Sequence, residues 1–293
     1  MCTLDRQVTL AVDVIIPAYR ERPVALAATI ESCLNQTYPV SQVYVVDDAS
    51  PSPVTLPSLG EAAGRVHLLR LPENKGAATA RNAGLVRSSA SLSWCLNSEI
   101  VPAPDWLETC VNYLSVHPDV GACFTSMVPQ SPDRLWTQWR MRFMELRYEG
   151  PSGPATFAPG HSVLFRREAV QKVGGYDTLQ RNNEDSDICV RMRDAGWETH
   201  YVASSSVLSL QQDTFGGLSS KLLFRSNWFS PESYSLPRVF LDQSRWFAER
   251  MGRNIVRGRF QLVPLDVALW GGALTVACRR VLAERRDRLQ GRK

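Results

Sequence analysis

Residues 12–17, VDVIIP, decide the fold class, because they form a β-branched run that contains one polar residue, Asp13, and ends at a proline. Such a run predicts a strand buried on both faces, as in a parallel sheet. A helix is predicted next at Pro23–Asn35, with a proline at its start. A second strand is predicted at Gln42–Val46, closed by Asp47-Asp48-Ala49-Ser50. Strand, helix and strand in this order predict a βαβ unit.

The same alternation continues over the first 130 residues. Further strands are predicted at Val66–Leu71, Leu92–Leu96 and Gly121–Val128, and further helices at Gly76–Ala90 and Pro104–Leu114. We therefore expect an α/β fold of the Rossmann-like kind, with a mostly parallel sheet flanked by helices. In such sheets ligands bind at the carboxyl ends of the strands.

Polar side chains collect at the predicted strand ends, on one rim of the sheet. They are Tyr19, Glu21, Asp47, Asp48, Asn97 and Glu99. Carboxylates there can hydrogen-bond a base or a ribose, or hold a hard divalent cation that bridges phosphates. A third acidic cluster, Glu184-Asp185-Ser186-Asp187, opens a predicted helix at Asp185–Ala195. Capping explains one or two of its acids, whereas three acids in four residues also indicate a functional role.

Missing motifs exclude several function classes. The first strand is not followed by Gly-x-Gly-x-x-Gly, and the chain contains neither a P-loop nor a Gly-x-Ser-x-Gly elbow. A dinucleotide-binding dehydrogenase and a P-loop nucleotide hydrolase are therefore disfavoured. The four histidines lack metal-ligand spacing. A net charge of +4 is too weak to indicate a nucleic-acid partner, and none is expected.

The cysteines and the amino terminus indicate the cell compartment. The seven cysteines follow neither a zinc pattern nor a disulfide framework, which favours buried free thiols in a reducing compartment. The first residues lack the basic start, apolar run and cleavage site of a signal peptide. No uncharged apolar run reaches the roughly 20 residues that span a bilayer. We therefore expect a cytoplasmic protein.

Six motifs in order, between about residues 12 and 202, resemble those of the family 2 glycosyltransferases. They are 14–19 VIIPAY, 45–50 VVDDAS, 74–84 NKGAATARNAG, 96–99 LNSE with 104–107 PDWL, 165–168 FRRE with 173–177 VGGYD, and 184–187 EDSD with Arg191 and 196–197 GW. Each motif alone is weak, but all six in this order are specific. The resemblance implies a GT-A fold, a nucleotide-sugar donor and inversion at the anomeric carbon.

The resemblance also implies which residues bind the nucleoside of the donor. Pro17 and Tyr19 would lie against the nucleobase, and Glu21 could reach the ribose. Asp48 would accept a hydrogen bond from the base, which is usually uracil in this family.

The catalytic residues implied by the resemblance lie in the third acidic cluster. Asp185 matches the general base, which takes the proton from the acceptor hydroxyl as its oxygen attacks the anomeric carbon. Glu184 would help to orient the acceptor. Asp187 and Arg191 lie one helical turn apart and are expected to form an ion pair.

The chain departs from the family at the Asp-x-Asp metal motif, which is Asn97-Ser98-Glu99 here. Asn97 lacks the charge of an aspartate, and Glu99 is one methylene longer than an aspartate. Both side chains still offer an oxygen to a metal, and Asn97 is also expected to contact the donor. Three interpretations follow. The chain uses Mn²⁺ or Mg²⁺ through Glu99 and Asn97, or it depends on cationic residues instead, or it binds the donor without catalysis.

Cationic side chains near the donor would oppose the charge of its phosphates. Lys75 and Arg81 are expected there from the resemblance. Many relatives carry a histidine after the last core strand, but residues 207–210, VLSL, contain none. Lys221 and Arg225, on the helix predicted to follow, could then supply charge to the diphosphate.

The chain is expected to consist of a GT-A nucleotide-sugar-binding and catalytic domain, 1–210, and a helical basic extension, 211–293. The net charge from residue 251 onward is +7, and that of residues 1–250 is −3. The apolar segment Leu262–Cys278 is flanked by arginines, and two interpretations follow. Residues 255–290 contact the inner face of an anionic membrane, or the segment is a helix that docks on the catalytic domain or on a dimer partner. The acceptor would then be a lipid-linked glycan, or else a small molecule or peptide.

The function favoured by the sequence is an inverting glycosyltransferase that moves a sugar from a UDP-linked donor to an acceptor hydroxyl. The alternative is a non-catalytic sugar-nucleotide-binding subunit of a glycan-assembly complex, suggested by Asn97 and Glu99. The intact Glu184-Asp185 pair argues against this alternative.

Overall fold

The computed structural model describes residues 10–143, 148, 150–180, 183–212, 214, 218, 236–272, 274–275 and 282. The chain divides into two compact units. The first unit contains residues 1–130 and 146–211, and the second contains residues 131–145 and 212–293. The segment 131–145 therefore groups with the carboxyl-terminal part of the chain.

The described strands of the first unit form one nine-stranded sheet. Their bounds are β1 Val12–Ala18, β2 Gln42–Asp47, β3 Val66–Arg70, β4 Leu92–Leu96, β5 Ile100–Pro102, β6 Val120–Pro129, β7 Gly153–Pro154, β8 Ser162–Arg166 and β9 Glu198–Ser209. Eight strands lie side by side in the order β3-β2-β1-β4-β8-β6-β9-β5, and β7 pairs with β9.

Helices separate many of these strands along the chain. They are α1 Pro23–Leu34, α2 Ala77–Arg87, α3 Trp106–Val116, α4 Leu135–Phe143, α5 Arg167–Lys172, α6 Glu184–Asp194 and α7 Leu236–Val256. Short 3₁₀ helices lie at Gly60–Arg65 and Phe260–Leu262. Of these helices, α4, α7 and the second 3₁₀ helix belong to the second unit.

The predicted α/β sheet flanked by helices is confirmed, and its strand directions are mixed. β3, β2, β1 and β4 are parallel neighbours, and so are β6 and β9. β8 runs antiparallel to both β4 and β6. The apolar pattern of a strand reports its burial and not its direction, so the sequence did not indicate this reversal.

The packing of α2 on β1 is unusually close. Ile15 is fully buried in β1, and a Cβ placed on Gly84 of α2 would lie 2.5 Å from Ile15 Cγ2. Only glycine permits this approach of a helix backbone to the sheet. The contact fixes the position of α2, which carries Arg81 to the rim of the sheet.

The sequence pattern does not indicate β5 or the second half of β9. A strand is predicted at Glu198–Val202, whereas β9 continues to Ser209 and there pairs antiparallel with β5. The register between β6 and β9 shifts between Thr125 and Ser126, which interrupts the alternation on which the prediction depends. Because β5 follows β4 after one turn, it holds residues 97–99 at the edge of the site.

The second unit has its own hydrophobic core. Its buried members are Trp139, Leu218, Phe247, Leu262, Leu265 and Leu269. Residues 263–272 are helical, so the described part of the predicted apolar segment buries one face within this unit. No helix in the described ranges has both the length and the apolar character needed to cross a membrane.

A buried carboxylate lies beside that core. The side chain of Asp266 is 1% exposed. Its Oδ1 accepts a hydrogen bond from Trp139 Nε1 at 2.6 Å, and its Oδ2 accepts one from Asn254 Nδ2 at 2.7 Å. These bonds join α4, α7 and the helix at 263–272, because a buried carboxylate must be satisfied by donors nearby.

The cysteines in the described part of the chain are buried and free. They are Cys33, Cys95, Cys110, Cys123 and Cys189. For these five residues the predicted buried free thiols are confirmed. Burial raises the pKa of the Cys95 thiol to about 11, so this group stays protonated at neutral pH.

Candidate active site

The predicted strand-end residues lie on one rim of the sheet. β1 and β2 end together, with Ala18 opposite Asp47, and β4 runs parallel to β1. The segments that follow these three strands, residues 19–22, 48–50 and 97–99, therefore open onto the same edge.

Asp47 shapes the loop after β2. Its carboxylate accepts hydrogen bonds from the backbone N–H of Ser50 at 2.8 Å and of Val54 at 3.3 Å, and it pairs with Arg70. Burial opposes ionisation of Asp47, but these donors outweigh it and hold its pKa below the ordinary value. These bonds fix the loop that follows β2.

Asp48 joins the end of β2 to the start of α2. Its Oδ1 accepts a hydrogen bond from the backbone N–H of Lys75 at 2.9 Å, and its Oδ2 accepts one from that of Gly76 at 2.7 Å. Gly76 has φ +93°, a conformation that side-chain-bearing residues rarely adopt. The ammonium group of Lys75 forms an exposed ion pair with Glu73 at 2.8 Å. A carboxylate offers about four acceptor positions, so Asp48 retains capacity for a further donor.

A cavity of about 460 Å³ opens beside the turn that follows β1. It is lined by Arg20, Glu21, Pro23, Leu26 and residues 51–55. Pro17 is half-buried at the end of β1, and Tyr19 is exposed. The backbone N–H of Tyr19 donates to Glu21 Oε1 at 3.2 Å. Burial raises the pKa of Glu21 above its ordinary value, although hydrogen bonds from Ser98 and Tyr19 oppose the rise.

Arg81 hydrogen-bonds two of the predicted site residues and one backbone carbonyl. Its side chain is 3% exposed. Nη1 donates to Glu184 Oε1 at 2.8 Å, and Nη2 donates to Asn97 Oδ1 at 3.0 Å and to the Gly160 carbonyl at 3.1 Å. The guanidinium lies 5.2 Å from the ring centroid of Tyr176. Burial lowers the pKa of Arg81, but Tyr176 and Glu184 outweigh it and raise this pKa above its ordinary value, so the side chain is a permanent cation.

Asp185 lies in the first turn of α6, beside this network. Its Oδ2 accepts a hydrogen bond from the backbone N–H of Gly160 at 2.9 Å, and its Oδ1 accepts one from that of Ser186 at 2.9 Å. A Cβ on Gly160 would lie 3.2 Å from Arg81 Nη2 and 3.3 Å from Asp185 Cβ. Gly160 therefore lets the backbone approach both groups, a role that the sequence did not indicate beyond a turn-forming segment.

Asn82 is a further residue that the sequence analysis missed. Its Nδ2 donates to the Tyr176 carbonyl at 2.7 Å, and its Oδ1 accepts from the Tyr176 N–H at 2.9 Å. Gly175, with φ +76°, comes so close that an added Cβ would lie 2.7 Å from Asn82 Oδ1. The signal was present in the sequence, because Asn82 follows Arg81 in the third motif.

The predicted ion pair between Asp187 and Arg191 is confirmed, with Nη2 2.6 Å from Oδ2. Arg191 Nη1 also donates to the carbonyls of Val173 at 2.6 Å and Gly175 at 2.8 Å. The pair therefore fixes α6 against the Gly174-Gly175 turn and does more than stabilise its own helix.

The two oxygen-bearing side chains of the altered metal motif accept hydrogen bonds from arginines of the chain. Asn97 Oδ1 accepts from Arg81. Glu99 Oε1 accepts from Arg22 Nε at 3.0 Å and from Arg22 Nη2 at 2.9 Å. Within the described residues no group of three or more His, Cys, Asp or Glu side chains could hold a metal ion. A single carboxylate paired with a guanidinium does not fit a divalent cation, which prefers several oxygen ligands.

Two residues suggested as sources of charge cannot be placed. Arg225 and Lys221 lie outside the described residues.

The sheet order and the rim of acidic residues define the class of the protein as a GT-A glycosyltransferase fold. GalNAc-T7 with UDP, GalNAc and Mn²⁺ superposes with a TM-score of 0.57, at 16% identity over 81% of this chain and 51% of that one. The mannosyltransferase PcManGT from Pyrobaculum calidifontis, with GDP-Man and Mn²⁺, gives 0.55 at 20% identity, over 95% of this chain and 74% of that one.

The chain belongs to glycosyl transferase family 2, whose family model matches residues 13–174. An N-acetylglucosaminyltransferase of Rhizobium sp. strain N33 is 28% identical over 70% of this chain and 50% of its own length. The N-acetylglucosaminyltransferase of Rhizobium meliloti strain 1021 is 27% identical over 93% of this chain and 70% of its own. A pre-mycofactocin glycosyltransferase of Mycobacterium tuberculosis is 28% identical over 55% and 35%. The match thus covers half or less of the length of two of these relatives.

Proposed function

We propose that the chain is an enzyme that transfers a sugar from a UDP-linked donor to an acceptor hydroxyl with inversion, and that Asp185 is the general base. The supporting observation is the position of Asp185. Its carboxylate is held by the Gly160 N–H, and Gly160 is bonded in turn to the buried cation Arg81. A base held in one place by its surroundings needs little reorganisation to accept a proton.

In this mechanism one carboxylate oxygen of Asp185 takes the proton of the acceptor hydroxyl. The oxygen of the acceptor forms a bond to the anomeric carbon, and the bond from that carbon to the nucleoside diphosphate breaks on the opposite face. Inversion follows from this in-line displacement. Glu184 is paired with Arg81 at 2.8 Å, so Arg81 holds Glu184 beside the base, where it can orient the acceptor.

Hydrolysis or transfer with a panel of nucleotide-sugars tests this proposal. We expect Asp185→Asn to abolish turnover but to leave donor binding unchanged, since the amide keeps the size of the side chain and loses its basicity. Asp194→Asn, at an exposed position at the other end of α6, is the matched control and should keep full turnover. Equal activity of wild type and Asp185→Asn would contradict the assignment.

The donor nucleoside is proposed to bind at the turn after β1. Pro17 and Tyr19 would contact the base, Glu21 at the cavity would bond the ribose, and Asp48 would accept from the base with its remaining lone pairs. Binding of UDP compared with GDP by isothermal titration calorimetry tests the choice of base. Tighter binding of GDP would correct the proposed uridine.

A contact with the inner face of the membrane is supported by exposed side chains of the second unit. Val256 is 87% exposed, Ile255 and Phe260 are also exposed, and Arg257 lies exposed beside them. Apolar and basic side chains together favour an anionic lipid surface, and with it a lipid-linked glycan as acceptor. A small molecule or peptide acceptor and an oligomer stay open.

Flotation with vesicles of phosphatidylcholine, with and without phosphatidylglycerol, tests this contact. Val256→Ser should weaken binding to the anionic vesicles. Val86→Ser is the matched control, because Val86 is 83% exposed on α2. Equal flotation of both variants and wild type would remove the membrane from the proposal.

The second candidate is a non-catalytic sugar-nucleotide-binding subunit. It is favoured by the engagement of Asn97 and Glu99 with Arg81 and Arg22. Donor binding without turnover, under Mn²⁺, Mg²⁺ and chelator alike, would support it over the enzyme. Metal use through Asn97 and Glu99, which the sequence led us to expect, is not part of the proposed mechanism, because both side chains are bonded to arginines.

A further inference from the structure

Arg22 lies between the altered metal motif and the end of β9. Its Nε and Nη2 both donate to Glu99 Oε1, at 3.0 and 2.9 Å, and Nη2 also donates to the carbonyl of Leu210 at 2.6 Å. The backbone N–H of Leu210 donates to the Glu99 carbonyl at 2.8 Å. The two segments are therefore joined, and the guanidinium is bonded to both.

The contacts of Arg22 leave part of its guanidinium available. The side chain is 43% exposed and that of Glu99 is 27% exposed, so the pair faces solvent on one side. No described residue accepts a hydrogen bond from Nη1 of Arg22, whereas Nε and Nη2 are engaged. Nη1 carries two N–H donors, and a guanidinium suits phosphate oxygens in both charge and shape.

The neighbours of Arg22 in the chain line the cavity beside β1. Arg20, Glu21 and Pro23 are on its wall. A nucleoside bound there would have its diphosphate close to Arg22 and to residues 97–99, since these segments share one rim of the sheet. Arg22 therefore lies where a positive charge at the diphosphate would be needed.

We propose that Arg22 supplies the positive charge that a divalent cation would otherwise supply at residues 97–99, and that it binds the diphosphate of the donor through Nη1. The proposal rests on the proposed function, because it requires a nucleoside diphosphate group in the site. It follows that nucleotide binding does not need a metal. It also follows that Mn²⁺ competes with Arg22 for Glu99.

The proposal predicts opposite effects for the two partners of the ion pair. Loss of Arg22 removes the charge that meets the phosphates, so nucleotide binding weakens. Loss of the Glu99 charge removes the carboxylate that accepts hydrogen bonds from Arg22, so binding is retained or becomes tighter. If Glu99 were instead a metal ligand, its loss would weaken binding in Mn²⁺ and have no effect in a chelator.

Isothermal titration calorimetry with UDP and GDP, in EDTA and in Mn²⁺, separates these outcomes. We expect wild type to bind in EDTA and Arg22→Gln to bind about tenfold more weakly, as for the loss of one charge-assisted hydrogen bond. Glu99→Gln should bind at least as tightly as wild type in EDTA. Arg87→Gln, at an exposed arginine of α2, is the control for the loss of one positive charge and should bind as wild type does.

Manganese binding to the protein alone gives a second readout, by electron paramagnetic resonance of free Mn²⁺. We expect Arg22→Gln to bind Mn²⁺ more tightly than wild type, because Glu99 is released from its partner. Nucleotide binding by wild type only in Mn²⁺ would overturn the role of Arg22, and so would equally tight binding by wild type and Arg22→Gln in EDTA. No binding of either nucleotide under any condition would overturn the proposed function as well.

Discussion

The guanidinium of Arg81 donates to the carboxylate of Glu184 at 2.8 Å, across 103 residues of sequence. The Arg81 side chain is 3% exposed and that of Glu184 is 17% exposed, so the ion pair is largely removed from water. Since a buried charge is costly without its partner, this pair holds α2 and the first turn of α6 together at the rim where Asp185 lies.

Removal of Arg81 should therefore destabilise the first unit. We expect Arg81→Met to lower the free energy of unfolding by about 3 kcal/mol, because Glu184 is left as an unpaired buried charge. The double variant Arg81→Met with Glu184→Gln should lose less than the sum of the two single losses. Urea denaturation measures all three, with Arg87→Met at an exposed position as the control. Additive losses would show that the pair is not coupled.

The two adjacent glycines of the turn before α6 provide a matched test of the Asn82 contacts. Gly174 and Gly175 have φ of +74° and +76°, but a Cβ meets nothing within 4 Å at Gly174 and lies 2.7 Å from Asn82 Oδ1 at Gly175. Gly174→Ala should cost about 1–2 kcal/mol from its backbone conformation alone. Gly175→Ala should cost clearly more, as measured by urea denaturation. Equal costs would mean that Asn82 moves aside freely.

Stability should depend on pH through Glu21, whose pKa is raised by burial. The folded state binds the Glu21 proton more tightly than the unfolded state does, so its contribution is present below the ordinary pKa and is lost as pH rises through the folded value. Glu21→Gln should therefore gain stability relative to wild type as the pH is raised from acid to neutral, above the ordinary pKa of a glutamate. Melting temperatures of both proteins across this range test the sign. Glu61→Gln, at an exposed site, controls for the change in net charge, and a difference that stays constant with pH would contradict the assignment.

Asp266 should be a principal source of stability in the second unit. Asp266→Ala leaves the Trp139 and Asn254 donors without this buried acceptor, and we expect a loss of about 2–3 kcal/mol in unfolding free energy. Asp266→Asn keeps one acceptor oxygen and should lose less. Denaturation followed by tryptophan fluorescence measures both variants. Equal losses would indicate that the negative charge, rather than the hydrogen bonds, is responsible.

Local elements of the fold could be predicted from the sequence because their signals are local. The apolar run 12–17 predicted β1, and the four-residue spacing predicted the Asp187–Arg191 pair. The direction of β8 and the length of β9 were not predictable, because strand pairing depends on distant residues and a register shift.

The sequence named many residues of the candidate site, but not the contacts between them. The motifs located Arg81, Glu184 and Asn97, yet nothing in the sequence joins Arg81 to both of the others. Arg22 and Glu99 are 77 residues apart and meet only through the fold. Motif spacing gives the type of chemistry, whereas tertiary packing decides which charge neutralises which.

The positions of the Arg81 partners in the sequence also determine when the first unit can fold during synthesis. Asn97, Gly160 and Glu184 follow it by 16, 79 and 103 residues. Consider a nascent chain of which only the residues up to the end of β4 have left the ribosome. It already contains the strands β1 to β4 that surround α2, but Arg81 has not yet gained its counter-ion Glu184. The folded first unit is therefore accessible only after α6 emerges, and amino-terminal fragments that end before it should be substrates for chaperones and proteases.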